Sequence, residues 1–104
     1  MTLHTTERFS NREIEEGELI SVCAVEAANI IKDVREKITN TFGGQMHKYE
    51  ELSEKAISRA LGKLDSRAKD LGYDGVVAVR LSHPSLVDGG VEVIAYGTGF
   101  RYIE

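Results

Sequence analysis

The chain predicts a small α+β domain of three or four strands and two helices, in which two helices can cover only one face of the sheet. Three observations carry this reading. Short runs rich in β-branched and other apolar residues stand at Leu19–Val25, Val76–Leu81 and Val91–Tyr96, the composition of strands. Between the first and second of these runs lie two stretches whose apolar residues recur at helical spacing, one stopped by Gly43 and the other by Gly72. Finally, 104 residues with 41% apolar side chains make one domain, residues 1–104, too apolar for general disorder and small enough that its core is thin.

In chain order, Leu3–Phe9 reads as a short strand, with Thr5 and Thr6 suited to a pleated surface. Asn11-Arg12 and Glu15-Glu16-Gly17 read as turns. In Leu19–Val25, Leu19, Cys23 and Val25 fall on one face and Ile20, Val22 and Ala24 on the other. A first helix starts near Asn29, a good N-cap residue, and Ala27, Ile30, Ile31, Val34, Ile38 and Phe42 follow helical spacing on its apolar face. The second helix opens with Gly43-Gly44-Gln45-Met46-His47-Lys48-Tyr49-Glu50 and runs to Leu71-Gly72. Tyr49, Leu52, Ala56, Ile57, Ala60, Leu61, Leu64, Ala68 and Leu71 form its buried stripe. Gly72 closes it, with Tyr73 placed for the hydrophobic contact of a Schellman-type cap. Val76–Leu81 and Val91–Tyr96 then form a hairpin across Pro84 and Asp88-Gly89-Gly90, the last strand resuming up to Tyr102 after a break at Gly97-Thr98-Gly99. Leu19–Val25 and Val76–Leu81 are apolar on both faces, as strands covered on both sides are. A homo-oligomer would supply the second cover; the alternative is that the first strand or the N-terminal segment folds across it.

Charge and cysteine usage exclude several classes. Net charge is −4, with Lys and Arg mixed among Asp and Glu, and no basic stripe with interleaved aromatics is present, which excludes a nucleic-acid partner. Cys23 is the single cysteine, so no intrachain disulfide framework exists and a reducing compartment is expected. The first residues carry no apolar secretory run and no stretch has the length of a membrane span. A cytoplasmic location with no membrane partner is the expectation.

The order of motifs resembles the YbjQ-like family, described as a "putative heavy-metal-binding domain". The matching residues are Thr5-Thr6, the Gly17-to-Val25 strand, Asn29 with Lys32-Asp33, Gly43-Gly44 leading into Tyr49-Glu50, Ala60, Leu71-Gly72 with Val76-Val77, and Gly97-Thr98. The resemblance implies a two-layer subunit of the dodecin-like kind, an antiparallel sheet with two helices on one face. It also implies a ring-shaped homo-oligomer, typically a pentamer. Gln45 stands where the family's arginine usually follows the paired glycines, removing a planar, bidentate anion binder.

Four kinds of chemistry fit the residues. For a transition metal, the soft or borderline donors are Cys23, His4, His47 and His83, without a CxxC or HxxxH pair. His47, Glu50, Glu51 and Glu54 fall on one shoulder of the second helix, and imidazole with carboxylates suits zinc, iron or manganese. The candidate metal set is therefore His47, Glu50, Glu54 and Cys23, against the plainer reading of a solvated acidic first turn and a buried thiol. For a small ligand, Gly43 and Gly44 would bring backbone N–H groups close at a helix start, with Tyr49, Glu50 and Thr98 as further candidates. The plainer reading is a tight helix–helix corner. For catalysis, Asp33, Tyr49, Glu50 and Thr98 are the polar residues inside the matched motifs, and a Tyr49/Glu50 pair would do acid–base work. A purely structural oligomeric scaffold is the remaining class. A ligand- or metal-binding module is the preferred reading, with no enzymatic activity expected.

Overall fold

Three strands and one long helix make up the described fold: β1 (Ile14–Glu26), α1 (Gly44–Asp70), β2 (Gly75–Ser82) and β3 (Val91–Tyr102). The computed structural model describes residues 2–26, 44–84 and 91–103, with side chains along α1 from Glu50 onward. The expected first helix, Gly43 and the hairpin loop at 85–90 lie outside the described residues. The strands order β1-β3-β2, and both neighbouring pairs are antiparallel. The N-terminal segment is not a full strand. It adds a parallel partner along the outer edge of β2, where Leu3 bridges Val76 and the His4 N–H donates to the Val76 carbonyl at 2.8 Å.

α1 lies across one face of this sheet because its stripe is apolar and narrow where it must come close. Ala56, Ala60, Leu64 and Ala68 are fully buried, against Ile20, Val22 and Ala24 of β1 and Val93 and Ala95 of β3. Burying a leucine such as Leu64 stabilises the fold by about 1.5–3 kcal/mol, and the alanines gain by letting helix and sheet approach. The helix ends in the expected Schellman motif. The Tyr73 N–H reaches the Ala68 carbonyl and the Gly72 N–H the Lys69 carbonyl, both at 3.0 Å, with Gly72 at φ +86°.

Two glycine-containing stretches taken above for a turn and a break are strand instead. Glu15 and Glu16 pair with Arg101 and Phe100, Thr98 pairs with both Leu19 and Val77, and β3 runs unbroken through Gly97-Thr98-Gly99. The glycines are there for space. A Cβ on Gly17 or Gly99 would stand 2.4 or 2.5 Å from atoms of the Tyr73 side chain, whose ring lies between them. Its hydroxyl accepts the Glu18 N–H at 3.0 Å and donates to the Glu18 carboxylate at 3.1 Å, while the Arg101 guanidinium covers the ring at 4.5 Å. Each outer strand also carries one extra residue opposite β3. β1 has a bulge between Glu16 and Leu19, and β2 has one between Val77 and Arg80 where Ala78 takes φ +54°. The second bulge restores Val79 and Leu81 to the helix side.

The face of the sheet away from α1 is covered at one end. There His4 and Phe9 from the N-terminal segment pack edge to face at 4.8 Å, Phe9 meets Phe100 at 5.5 Å, and Phe100 meets Tyr102 at 5.2 Å. Phe100 and Val77 are buried beneath this small second core. The other end has no cover among the described residues: Leu19 is 70% exposed, Val25 42% and Tyr96 37%.

Candidate functional site

Past the region where Ala56 and Ala60 seal α1 to the sheet, the helix and the β2–β3 hairpin leave a cleft between them. Ser53 and Ile57, one turn apart on α1, form one wall; Leu81, Ser82 and His83 at the end of β2 form the other, and Val91 and Val93 form the floor. The cavity has a volume of about 270 Å³. Val91 and Val93 are almost wholly buried, and Leu81 stands half open at the edge. Strand alternation explains the composition: Val91, Val93 and Ala95 all turn to the helix, and Leu81 pairs with Ala95. Among the described residues, none of the lining side chains is a carboxylate, a lysine or an arginine. His83 supplies the one imidazole. Its Nδ1 lies 2.6 Å from the backbone carbonyl oxygen of Glu92, which can only accept, so Nδ1 carries the hydrogen.

The residues singled out in the sequence are dispersed by comparison. Gly44 is the first residue of α1, and His47 and Tyr49 lie in its first turns. Glu50 and Glu54 follow on exposed positions of the same helix. Gly43 and Asp33 lie outside the described residues. Thr98 sits on the face of β3 opposite to the residues that meet α1, so the sheet separates it from Glu50. Cys23 is on that same far face of the sheet, away from Glu54. Its Sγ donates to Glu92 Oε2 at 3.1 Å, and the other oxygen, Glu92 Oε1, is buried without a hydrogen-bond partner among the described residues. Hydrogen bonding to this carboxylate, helped by desolvation, pushes the Cys23 thiol above its ordinary value and keeps it protonated. Two donors fall short of the four of a closed metal site, and among the described residues no three His, Cys, Asp or Glu groups converge.

Two features were not legible beforehand. The cleft needs the β2 bulge, which no residue type announces. The second is a row of basic residues at i,i+4 spacing, Lys55, Arg59 and Lys63, facing the free edge of β1. Arg59 donates to the Val25 carbonyl at 3.1 Å and Lys63 to that of Cys23. Arg59 and Lys55 also pair with the buried Glu26 carboxylate, and the Arg59 hydrogen bond holds that carboxyl below its ordinary value. The i,i+4 spacing was visible; the strand edge it serves was not.

Fold and cleft define a class: small α+β domains with an antiparallel three-stranded sheet and one long helix across one face. A solved structure of the same kind is a protein of unknown function from Pediococcus pentosaceus, assigned to the DUF74 family. It superposes with a TM-score of 0.67 over 99% of this chain and 98% of that one at 18% identity. The chain belongs to the YbjQ family, whose model, described as "Putative heavy-metal-binding", matches residues 1–102. Among its relatives are UPF0145 proteins from Halorubrum lacusprofundi (35% identical over 97% of this chain and 98% of the relative) and Halobacterium salinarum (40% identical over 94% and 95%). Another, from Clostridium perfringens, is 34% identical over 98% of this chain and 97% of its own length. No helix among the described residues is long and apolar enough to cross a membrane.

Proposed function

We propose that the protein is a cytoplasmic, self-associating module that binds a small, largely apolar ligand. The cleft between α1 and the β2–β3 hairpin carries the reading. A dry apolar cavity of roughly 150 Å³ is enough to take up benzene; this one holds about 270 Å³. Its floor is aliphatic, its few polar groups sit along the walls, and concave sites of that composition are where small molecules bind. Self-association is supported by Leu19, Val25 and Tyr96, exposed at the end of the sheet that no described residue covers. A dodecin-like ring, with five copies as the family resemblance implies, is the arrangement we favour.

A second reading, metal binding, is favoured by the Cys23–Glu92 pair with its unpartnered carboxylate oxygen and by the family's description. On that reading a neighbouring copy completes the ligand set. Native mass spectrometry of untagged protein, purified without added metal, tests both readings together. An oligomer carrying a small organic mass supports the proposal, and a transition-metal adduct lost on Cys23→Ser supports the alternative. A bare monomer contradicts self-association. A bare ring that takes up no added apolar probe points to a scaffold.

A further inference from the structure

From the same cleft, and resting on the ligand-binding reading above, we infer a ligand class: an uncharged molecule with a compact apolar body and one hydroxyl group, which donates its hydrogen to Nε2 of His83. The body follows from the volume. At the density of benzene in a 150 Å³ cavity, 270 Å³ accepts about ten non-hydrogen atoms, a single substituted ring or a short branched chain. Ile57, Leu81, Val91 and Val93 offer that body aliphatic surface on several sides. The absence of charge follows from the lining. Among the described residues that line the cleft there is no carboxylate, lysine or arginine, and a charged ligand group taken out of water against them would be left without a counter-charge.

The hydroxyl follows from the state of the imidazole. Nδ1 is committed as a donor to the Glu92 carbonyl at 2.6 Å, so in the neutral ring Nε2 is the acceptor. A group that both reaches His83 and brings its own hydrogen is therefore matched, whereas a carbonyl or ether oxygen at the same place would face a lone pair. The backbone contact also fixes the ring, so little side-chain freedom is lost when the ligand arrives.

The test uses two probes of equal size, 4-ethylphenol and 4-ethyltoluene, which differ by hydroxyl against methyl. Each is titrated into the full-length protein and into His83→Phe, with dissociation constants and shifted amides read from two-dimensional NMR. The amides of Ile57, Leu81, His83 and Val93 are expected to move. His83→Phe is expected to weaken 4-ethylphenol about three- to tenfold, the worth of one net hydrogen bond, and to leave 4-ethyltoluene unchanged or tighter. Because His83 is exposed, the variant keeps the fold. Should both probes bind the cleft with the same ratio of affinities in the two proteins, the hydroxyl inference is overturned while the cleft remains a ligand site. If neither probe moves those amides, or if Ser53→Phe on the helix wall leaves binding intact, the ligand-binding reading fails as well.

Discussion

Replacing Gly99 by alanine tests the packing that ties the end of α1 to the sheet. A Cβ there would stand 2.5 Å from Tyr73 Cδ2 and 2.7 Å from Cε2, well inside van der Waals contact. The ring cannot slide aside cheaply, because its hydroxyl is bonded to Glu18, Arg101 covers its face, and Gly17 leaves no room on the other side. Overpacking of this kind costs about 1–3 kcal/mol. Against it stands a gain of about 0.4–1 kcal/mol from the stiffer unfolded chain. The net expectation is a loss of about 1–2 kcal/mol, lowering the thermal midpoint of a domain this size by roughly 4–16 °C. Urea unfolding followed by circular dichroism measures it. The decisive comparison is the same substitution made in Tyr73→Ala, where no ring is left to meet and Gly99→Ala should cost almost nothing, a coupling of at least about 1 kcal/mol. An equal loss in both backgrounds would mean that the Tyr73 ring is not what excludes a side chain at position 99.

Gly62→Ala should act in the opposite direction, because a Cβ at Gly62 meets nothing within 4 Å; a gain of about 0.5–1 kcal/mol in urea unfolding is expected for an open position inside a helix. Glu26 gives a pH dependence. Its carboxyl is held below the ordinary value of 4.5, first by the hydrogen bond from Arg59. Its contribution is therefore fully present above pH 4.5 and lost as the pH falls through the lower folded value. Glu26→Gln should flatten the acid limb of the stability curve and leave its slope above pH 6 unchanged. Cys23 should alkylate slowly with iodoacetamide near neutral pH because its thiol is held protonated by Glu92. Glu92→Gln should speed the reaction severalfold, and an unchanged rate would show that the carboxylate does not control the thiol.

Much of the architecture was written in patterns of short range. The stripe along α1 was legible because Ala56, Ala60, Leu64 and Ala68 repeat at helical spacing, and all four are buried. The Schellman cap at Gly72 was legible because it needs only local residues. Gly17 and Gly99 were misread because a glycine looks alike whether it makes a turn or clears space for a ring, and Tyr73 lies far from both in sequence. The second apolar face of the sheet was visible as alternation, and its cover at one end by Phe9 and His4 over Phe100 follows the alternative in which the N-terminal segment folds across it; which end is covered is a tertiary fact. The binding candidates suffered most. Residues chosen for being polar within matched motifs, such as Glu50 and Thr98, are divided by the sheet. The cleft is made of two core valines and ordinary residues at the rim, none of a type that marks a site, and their convergence depends on the bulge at Ala78.

Uptake of an apolar molecule by the cleft can be read from methyl NMR. With Ile, Leu and Val methyl groups labelled, 4-ethylphenol is added to the protein and the shifts are followed to saturation. The methyls of Ile57, Leu81, Val91 and Val93 should move together with one dissociation constant, while those of Leu19 and Val77 on the far face stay still. Saturable shifts confined to the far face, or no saturable shift at all, would contradict it.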